Sequence, residues 1–278
     1  MDKKVYIDNM CNVAFGLGNR LFQICAAIHY CETYGYSIVI RKTMSTLFGT
    51  SNDFGKTQCY KDESGVFAGY DKTIFKKLTY AEDISTAEAQ NVYNFRSDNK
   101  IIPSGNDLVI SGYNQCLDLF IDHIQAFPKY LHLDDAPIKA YIAQKYGDVS
   151  KGICVGIRIG ADFAHMTKLK SSSYLKALRY LQKYLKVDGK VYIISDTPDI
   201  HKHGFDLGTT IEVNEPDIVQ FYFGLMCQHY ILSESTFHLW IAYLGTIDKS
   251  LNKQVICFND TDITNISFDL PGWIKMNY

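Results

Sequence analysis

The amino-acid sequence predicts an α/β fold of two Rossmann-like domains, residues 1–148 and 149–278. Three observations carry this expectation. Short apolar runs rich in Ile and Val alternate with longer stretches whose apolar residues recur at helical spacing. A glycine turn joins the first apolar run to the first helical stretch. A polar break at Gly147–Gly152 separates two such strand–helix series.

Val5–Ile7 reads as a short strand, and the turn Phe15-Gly16-Leu17-Gly18-Asn19 follows it. A helix is expected from Arg20 to Tyr34, because Leu21, Cys25 and Ile28 share one face, and Gly35 is its stop. Ser37–Ile40 is the next strand, which completes a βαβ opening. Residues 43–105 carry scattered glycines among polar and aromatic residues, so loops and short helices are expected. Leu108–Tyr113 is a strand; Cys116–Phe127 and Ala136–Tyr146 are helical, punctuated by Pro128 and Pro137.

The second half alternates more cleanly. Strands are expected at Ile153–Ile159, Lys190–Ser195, Thr210–Val213, His229–Ser233 and Gln254–Phe258. Helices are expected at Ser173–Leu185, Glu215–Gln228 and Thr236–Leu244. Strands that alternate with helices predict a doubly wound, mostly parallel sheet.

Composition bounds the function. The chain has 278 residues, 47% hydrophobic and 21% charged, which excludes global disorder. Lys and Arg number 28 against 30 Asp and Glu, a net charge of −2 that gives no electrostatic footprint for nucleic acid. No run of about 18 apolar residues predicts a membrane span. The opening Met1-Asp2-Lys3-Lys4-Val5 lacks the pattern of a secretory signal, so a cytoplasmic protein is expected. The eight cysteines form no C-x-x-C pair and several lie in apolar runs, which predicts buried reduced thiols. The 20 Tyr and 16 Phe either fill cores or line a sugar or base site.

Four segments could carry chemistry. Gly16-Leu17-Gly18-Asn19-Arg20-Leu21-Phe22-Gln23 opens the first helix, where backbone N–H groups can meet an anion, or it is simply a tight turn. It lacks the third glycine of the dinucleotide fingerprint and the Gly-Lys-Ser/Thr ending of a P-loop. This argues against a Rossmann oxidoreductase. Val155–Phe163 ends an apolar strand in Arg158, Gly160 and Asp162, at the strand end that faces ligand in open α/β sheets. Arg158 there suits a phosphate, or it pairs with Asp162 as a structural salt bridge. Ser195 and Asp196 end another strand; Asp196 can accept bonds from a ribose or base, or cap the following segment. Ser233-Glu234-Ser235-Thr236-Phe237 links a strand to a helix, with Ser235 or Thr236 as N-cap or as a diphosphate ligand. His201-Lys202-His203 is a solvated loop pair, and no metal site is expected. No Gly-x-Ser-x-Gly elbow is present.

In order and rough spacing these four segments resemble the inverting fucosyltransferase superfamily, most closely the alpha-1,2-fucosyltransferase family. Residues 16–23 resemble its Gly-Leu-Gly-Asn-x-x-Phe-Gln, Gly156–Phe163 its His-x-Arg-Arg-Gly-Asp-Tyr, Ile194–Asp196 its Ser-Asp-Asp, and Ser233–Trp240 its Asn-Ser-Thr-Phe-Ser-Trp-Trp. The chain departs from the pattern at Gly156, where the family has His, and at Ile159, where it has a second Arg. The resemblance implies a GT-B-like fold with a cleft between its domains, the N-terminal one on the acceptor side and the C-terminal one binding a nucleotide-sugar donor. It implies GDP-fucose as donor, a glycan hydroxyl as acceptor, inversion, and neither metal nor cofactor. Arg158 is then the contact to the donor's β-phosphate. Ser195, Asp196, Ser233, Glu234, Ser235, Thr236 and Phe237 line the donor site, together with Gly16, Gly18, Asn19, Arg20 and Gln23. Asp162 or His165 is the general base, with Asp53, Asp62, Glu63 and Asp71 as rivals. Another donor such as UDP-xylose, or a non-catalytic glycan- or nucleotide-binding protein, are the alternative readings.

Overall fold

A computed structural model describes residues 3–7, 16–41, 60–61, 67–81, 88–91, 105–111, 121–160, 169–248, 252–258 and 270–277. The chain divides into two compact units, Met1–Asp135 and Ala136–Tyr278. Each is an α/β unit with a parallel sheet, as the alternation of strands and helices predicts.

The first unit holds β1 (Lys4–Ile7), α1 (Leu17–Tyr34), β2 (Ser37–Arg41), β3 (Tyr60–Lys61), β4 (Phe67–Ala68), β5 (Thr79–Ala81), β6 (Glu88–Asn91) and β7 (Leu108–Ser111). Its five-stranded sheet runs β5-β2-β1-β7-β6, with every pairing parallel. β3 and β4 form a separate antiparallel pair. α1 starts at Leu17, three residues earlier than its apolar periodicity suggests, because Gly16 takes the extended N-cap conformation (φ −64°, ψ 170°). Its stop is the expected one: Gly35 at φ 73° donates its N–H to the Cys31 carbonyl, and Tyr36 reaches back to Tyr30.

Among the described residues of 43–105 the expected loop is present at 69–78, a series of turns, but β3 to β6 also lie there, which the expectation of loops and short helices did not include. These strands are short, and β6 (Glu-Ala-Gln-Asn) is a polar edge strand, so none shows apolar alternation. The expected helix Cys116–Phe127 is also corrected. Its described part is a 3₁₀ helix, Ile121–Ala126, and Pro128 opens the short α2 (Phe127–Tyr130) rather than ending a helix.

The second unit holds α3 (Ala136–Tyr146), β8 (Ile153–Ile157), α4 (Ser171–Arg179) continued by a π-helical turn, β9 (Val191–Ser195), β10 (Ile211–Glu212) and α5 (Asp217–Met226). β11 (His229–Ile231), α6 (Thr236–Gly245), β12 (Val255–Phe258) and β13 (Ile274–Met276) complete it. The sheet runs β10-β9-β8-β11-β12-β13, all parallel. This is the third-second-first-fourth-fifth-sixth order of the doubly wound fold, whose direction reverses between β8 and β11. Ile153, Val155 and Ile157 of β8 join Tyr174, Ala177 and Leu178 of α4 in one buried core. On the other face α5 and α6 pack so closely that a β-carbon on Gly224 would stand 2.4 Å from Ile241. α3 belongs to this unit: the Tyr141, Tyr146 and Lys145 side chains all converge on Glu215. The sequence break at 147–152 therefore falls after α3, whereas the contacts divide the chain before it.

Cys25, Cys31, Cys154, Cys227 and Cys257 are buried free thiols, as expected for these five. Burial pushes the Cys25 thiol well above its usual range. Among the described residues no helix is long and apolar enough to cross a membrane.

Candidate functional site

The carboxyl ends of β9, β8 and β11 lie side by side at the reversal of strand order, the place where open α/β sheets bind ligands. Register sets the first contact. Ile157 is opposite Ser195, so the next residues, Arg158 and Asp196, leave their strands as neighbours. Arg158 Nε stands 3.1 Å from Asp196 Oδ2. The same carboxylate accepts the backbone N–H of Ile159 at 3.0 Å and of Gly160 at 2.9 Å. Asp196 thus ties the chain leaving β8 to the end of β9 and orients the guanidinium with a charge-assisted bond. The Arg158 side chain remains 30% exposed, against 10% for Asp196.

On the other flank of β8 the turn Ser233–Ser235 follows β11. Ser233, Glu234 and Ser235 are buried, while Thr236 and Phe237 are half-buried. Ser235 is the N-cap of α6, and its Oγ accepts the Phe237 N–H at 3.3 Å. Ser233 Oγ lies 2.6 Å from His238 Nδ1. The His238 ring occupies the space beside Gly156, where a β-carbon would stand 2.4 Å from it. Burial pushes the His238 pKa down to about 3; the Asp196 charge opposes this and the Arg158 charge adds to it. The imidazole is therefore neutral at ordinary pH, and the positive charge at this strand end resides on Arg158. The edge of the site is aromatic: Phe237 packs edge-on against Phe221, 5.7 Å between centroids.

The sequence-derived candidates thus fall into separate groups. Arg158, Ser195, Asp196, Ser233, Glu234, Ser235, Thr236 and Phe237 gather at the ends of three adjacent strands of the second unit. Ser195 Oγ accepts the Thr197 N–H at 3.1 Å, which shapes the turn after β9. Gly16, Gly18, Asn19, Arg20 and Gln23 belong to the first unit. Gly16 is exposed, Asn19 half-buried, and Asn19 and Arg20 donate their N–H groups to the Gly16 carbonyl. Gly18 and Gln23 are buried, and the buried Arg20 guanidinium lies over the Tyr70 ring, 5.6 Å from its centroid. Asp162 and His165 lie outside the described residues, as do Asp53, Asp62 and Glu63. Asp71 is described, and burial raises its pKa.

His238 is the site residue that sequence reasoning missed. Its ring is apposed to a strand glycine by tertiary packing, and neither position announces the other. A second missed signal is the Asp-x-Asp triplet Asp260-Thr261-Asp262, which lies outside the described residues. Among the described residues no group of three or more His, Cys, Asp or Glu side chains is gathered for a metal ion.

No protein-family model and no curated protein sequence matches the chain. Solved structures do. The fucosyltransferase NodZ from Bradyrhizobium superposes with a TM-score of 0.50 at 13% identity, covering 89% of this chain and 94% of that one. NodZ alpha-1,6-fucosyltransferase soaked with GDP-fucose gives 0.47 at 15% identity, covering 96% and 97%. The apo form of POFUT1 gives 0.46 at 8% identity, covering 92% and 98%. At such identities the first likeness speaks for the fold, a GT-B-like pair of Rossmann-like units extending over nearly the whole chain.

Proposed function

We propose that this protein is a glycosyltransferase that moves a sugar from a nucleoside diphosphate to a glycan hydroxyl with inversion, and that the sugar is fucose carried on GDP. The observation that carries the reading is the Arg158–Asp196 pair at the strand reversal of the second sheet. A fixed guanidinium beside a helix-opening turn is the arrangement that a departing diphosphate requires. The four ordered sequence segments and the fold likeness to a fucosyltransferase support the donor assignment.

In this mechanism the acceptor oxygen attacks the anomeric carbon while the bond from that carbon to the β-phosphate oxygen breaks. Negative charge grows on the diphosphate, and Arg158 stabilises it more in the transition state than in the ground state. Asp196 keeps the guanidinium in place and accepts nothing from the reaction. Ser233, Ser235, Thr236 and Phe237 form the bed for the phosphates and nucleoside. Asp162 or His165 takes the proton of the acceptor hydroxyl. The leaving group needs no metal where a guanidinium supplies the charge.

The test is a thermal-shift panel of GDP, UDP, ADP and their sugar conjugates, followed by a transfer assay. A ligand that binds only the folded chain raises Tm by mass action. GDP and GDP-fucose should stabilise, and fucose should appear on an acceptor. Stabilisation by UDP conjugates alone would move the donor to a UDP sugar such as UDP-xylose. Binding of GDP-fucose without transfer or hydrolysis would leave a binding protein in place of an enzyme.

A further inference from the structure

The first unit brings together two histidines that lie 94 residues apart in sequence. His29 and Thr33 stand one turn apart on α1, and His123 comes from the 3₁₀ helix 121–126. His29 Nδ1 is 3.2 Å from His123 Nε2. Thr33 Oγ1 is 3.4 Å from the first nitrogen and 3.3 Å from the second. The three atoms form a nearly equilateral triangle. Ligands at about 2.0–2.1 Å around a tetrahedral zinc ion stand about 3.3–3.4 Å from one another.

We propose that this triangle is one face of a tetrahedral site for a divalent transition-metal ion of zinc's class, with water at the fourth corner. Two imidazole nitrogens select zinc, cobalt, nickel or copper over magnesium or calcium, which demand more oxygen ligands. The hydroxyl oxygen is the weakest of the three, so the site binds reversibly. It is also reachable, because His29 is buried while His123 is half-buried and Thr33 exposed. Binding needs no change of charge on the rings: whichever ring now donates its shared proton carries it on its other nitrogen instead. The ion would tie α1 to the 3₁₀ helix within the first unit. The inference stands apart from the sugar-transfer reading.

The experiment uses the full chain, freed of metal with a chelator and titrated with zinc or cobalt chloride, with magnesium as control. Zinc at about a hundredfold excess over its Kd should raise Tm by roughly 5 °C or more. Cobalt should develop the intense visible absorption of tetrahedral coordination, and magnesium should do nothing. His123→Gln, its fold checked by circular dichroism, should abolish both responses. Thr33→Val, at an exposed position, should weaken zinc binding and shift the cobalt spectrum. A His201→Ala, His203→Ala double variant should keep both responses. No zinc shift in the unmodified chain, or a shift that survives His123→Gln, would overturn the site and leave a hydrogen-bonded triangle.

Discussion

A β-carbon on Gly156 would stand 2.4 Å from both Cγ and Nδ1 of His238. Strand β8 is central and its backbone is pinned on both sides, so it cannot retreat. The ring cannot retreat either, because it is buried and held at 2.6 Å from Ser233. Gly156→Ala should therefore overpack the site and cost about 1–3 kcal/mol. The effect should not add to that of His238→Ala. The double variant, with a methyl group where the ring had been, should recover about 1–3 kcal/mol of the summed loss. Chemical denaturation of the four proteins measures the coupling; strictly additive losses would show that the two residues do not share the space.

The Arg158–Asp196 pair separates chemistry from stability. Arg158→Ala should lower turnover by about 10²–10³, with donor binding weakened and the melting temperature nearly unchanged. Arg158→Lys should not restore turnover, since a point charge replaces a planar fork. Asp196→Ala should do more damage: it removes the acceptor for two backbone N–H groups as well as the orienting charge. A stability loss of about 1–3 kcal/mol should accompany its loss of turnover. Steady-state kinetics beside thermal melts decide this. Normal turnover in Arg158→Ala would remove the guanidinium from the mechanism.

Much of this was legible in the sequence, and the reason is local. β8 and β9 are continuous apolar runs because parallel strands are buried on both faces, and Gly35 marks the end of α1 because its φ is positive. Segments of two to four polar residues, such as β6, carry no period to read. Partners were legible only where they were near in sequence. Asp196 is far from Arg158 in sequence, and only sheet register brings the two together, while Asp162, the neighbour that sequence spacing offers, lies outside the described residues. The same holds for His238. Gly156 stands where the resembled family segment carries His, and an imidazole is supplied beside it from α6, a relation that only tertiary packing creates.

The buried neutral His238 gives stability a definite acid dependence. Its pKa is held at about 3 in the folded chain, against the ordinary value near 6.5 in the unfolded one. Between those values the unfolded state binds a proton that the native state does not. Stability from this residue is therefore complete above about pH 6.5 and falls as the pH drops toward about 3. Replacing His238 with Gln should remove about one proton from the difference, so the variant's stability should fall less steeply between about pH 6 and 4. His132 and His229, also lowered by burial, remain in both proteins and cancel. Parallel slopes for the two proteins would mean that His238 is protonated in the native state.

Ser235 distinguishes a cap from a ligand. Its Oγ accepts the Phe237 N–H and closes the first turn of α6, which alone accounts for a serine there. Ser235→Ala should cost about 1 kcal/mol through the lost cap, and Ser235→Gly should cost only a few tenths. If the hydroxyl serves the helix only, turnover measured well below Tm should be normal in both variants. The proposed donor bed predicts otherwise: the Michaelis constant for the nucleotide sugar should rise in both variants, including the stable glycine one. Ser235→Thr, which keeps an oxygen on Cβ, should restore the cap and at least part of the donor affinity. A glycine variant with unchanged donor affinity would confine Ser235 to its structural task and leave the phosphates to Arg158 and the backbone.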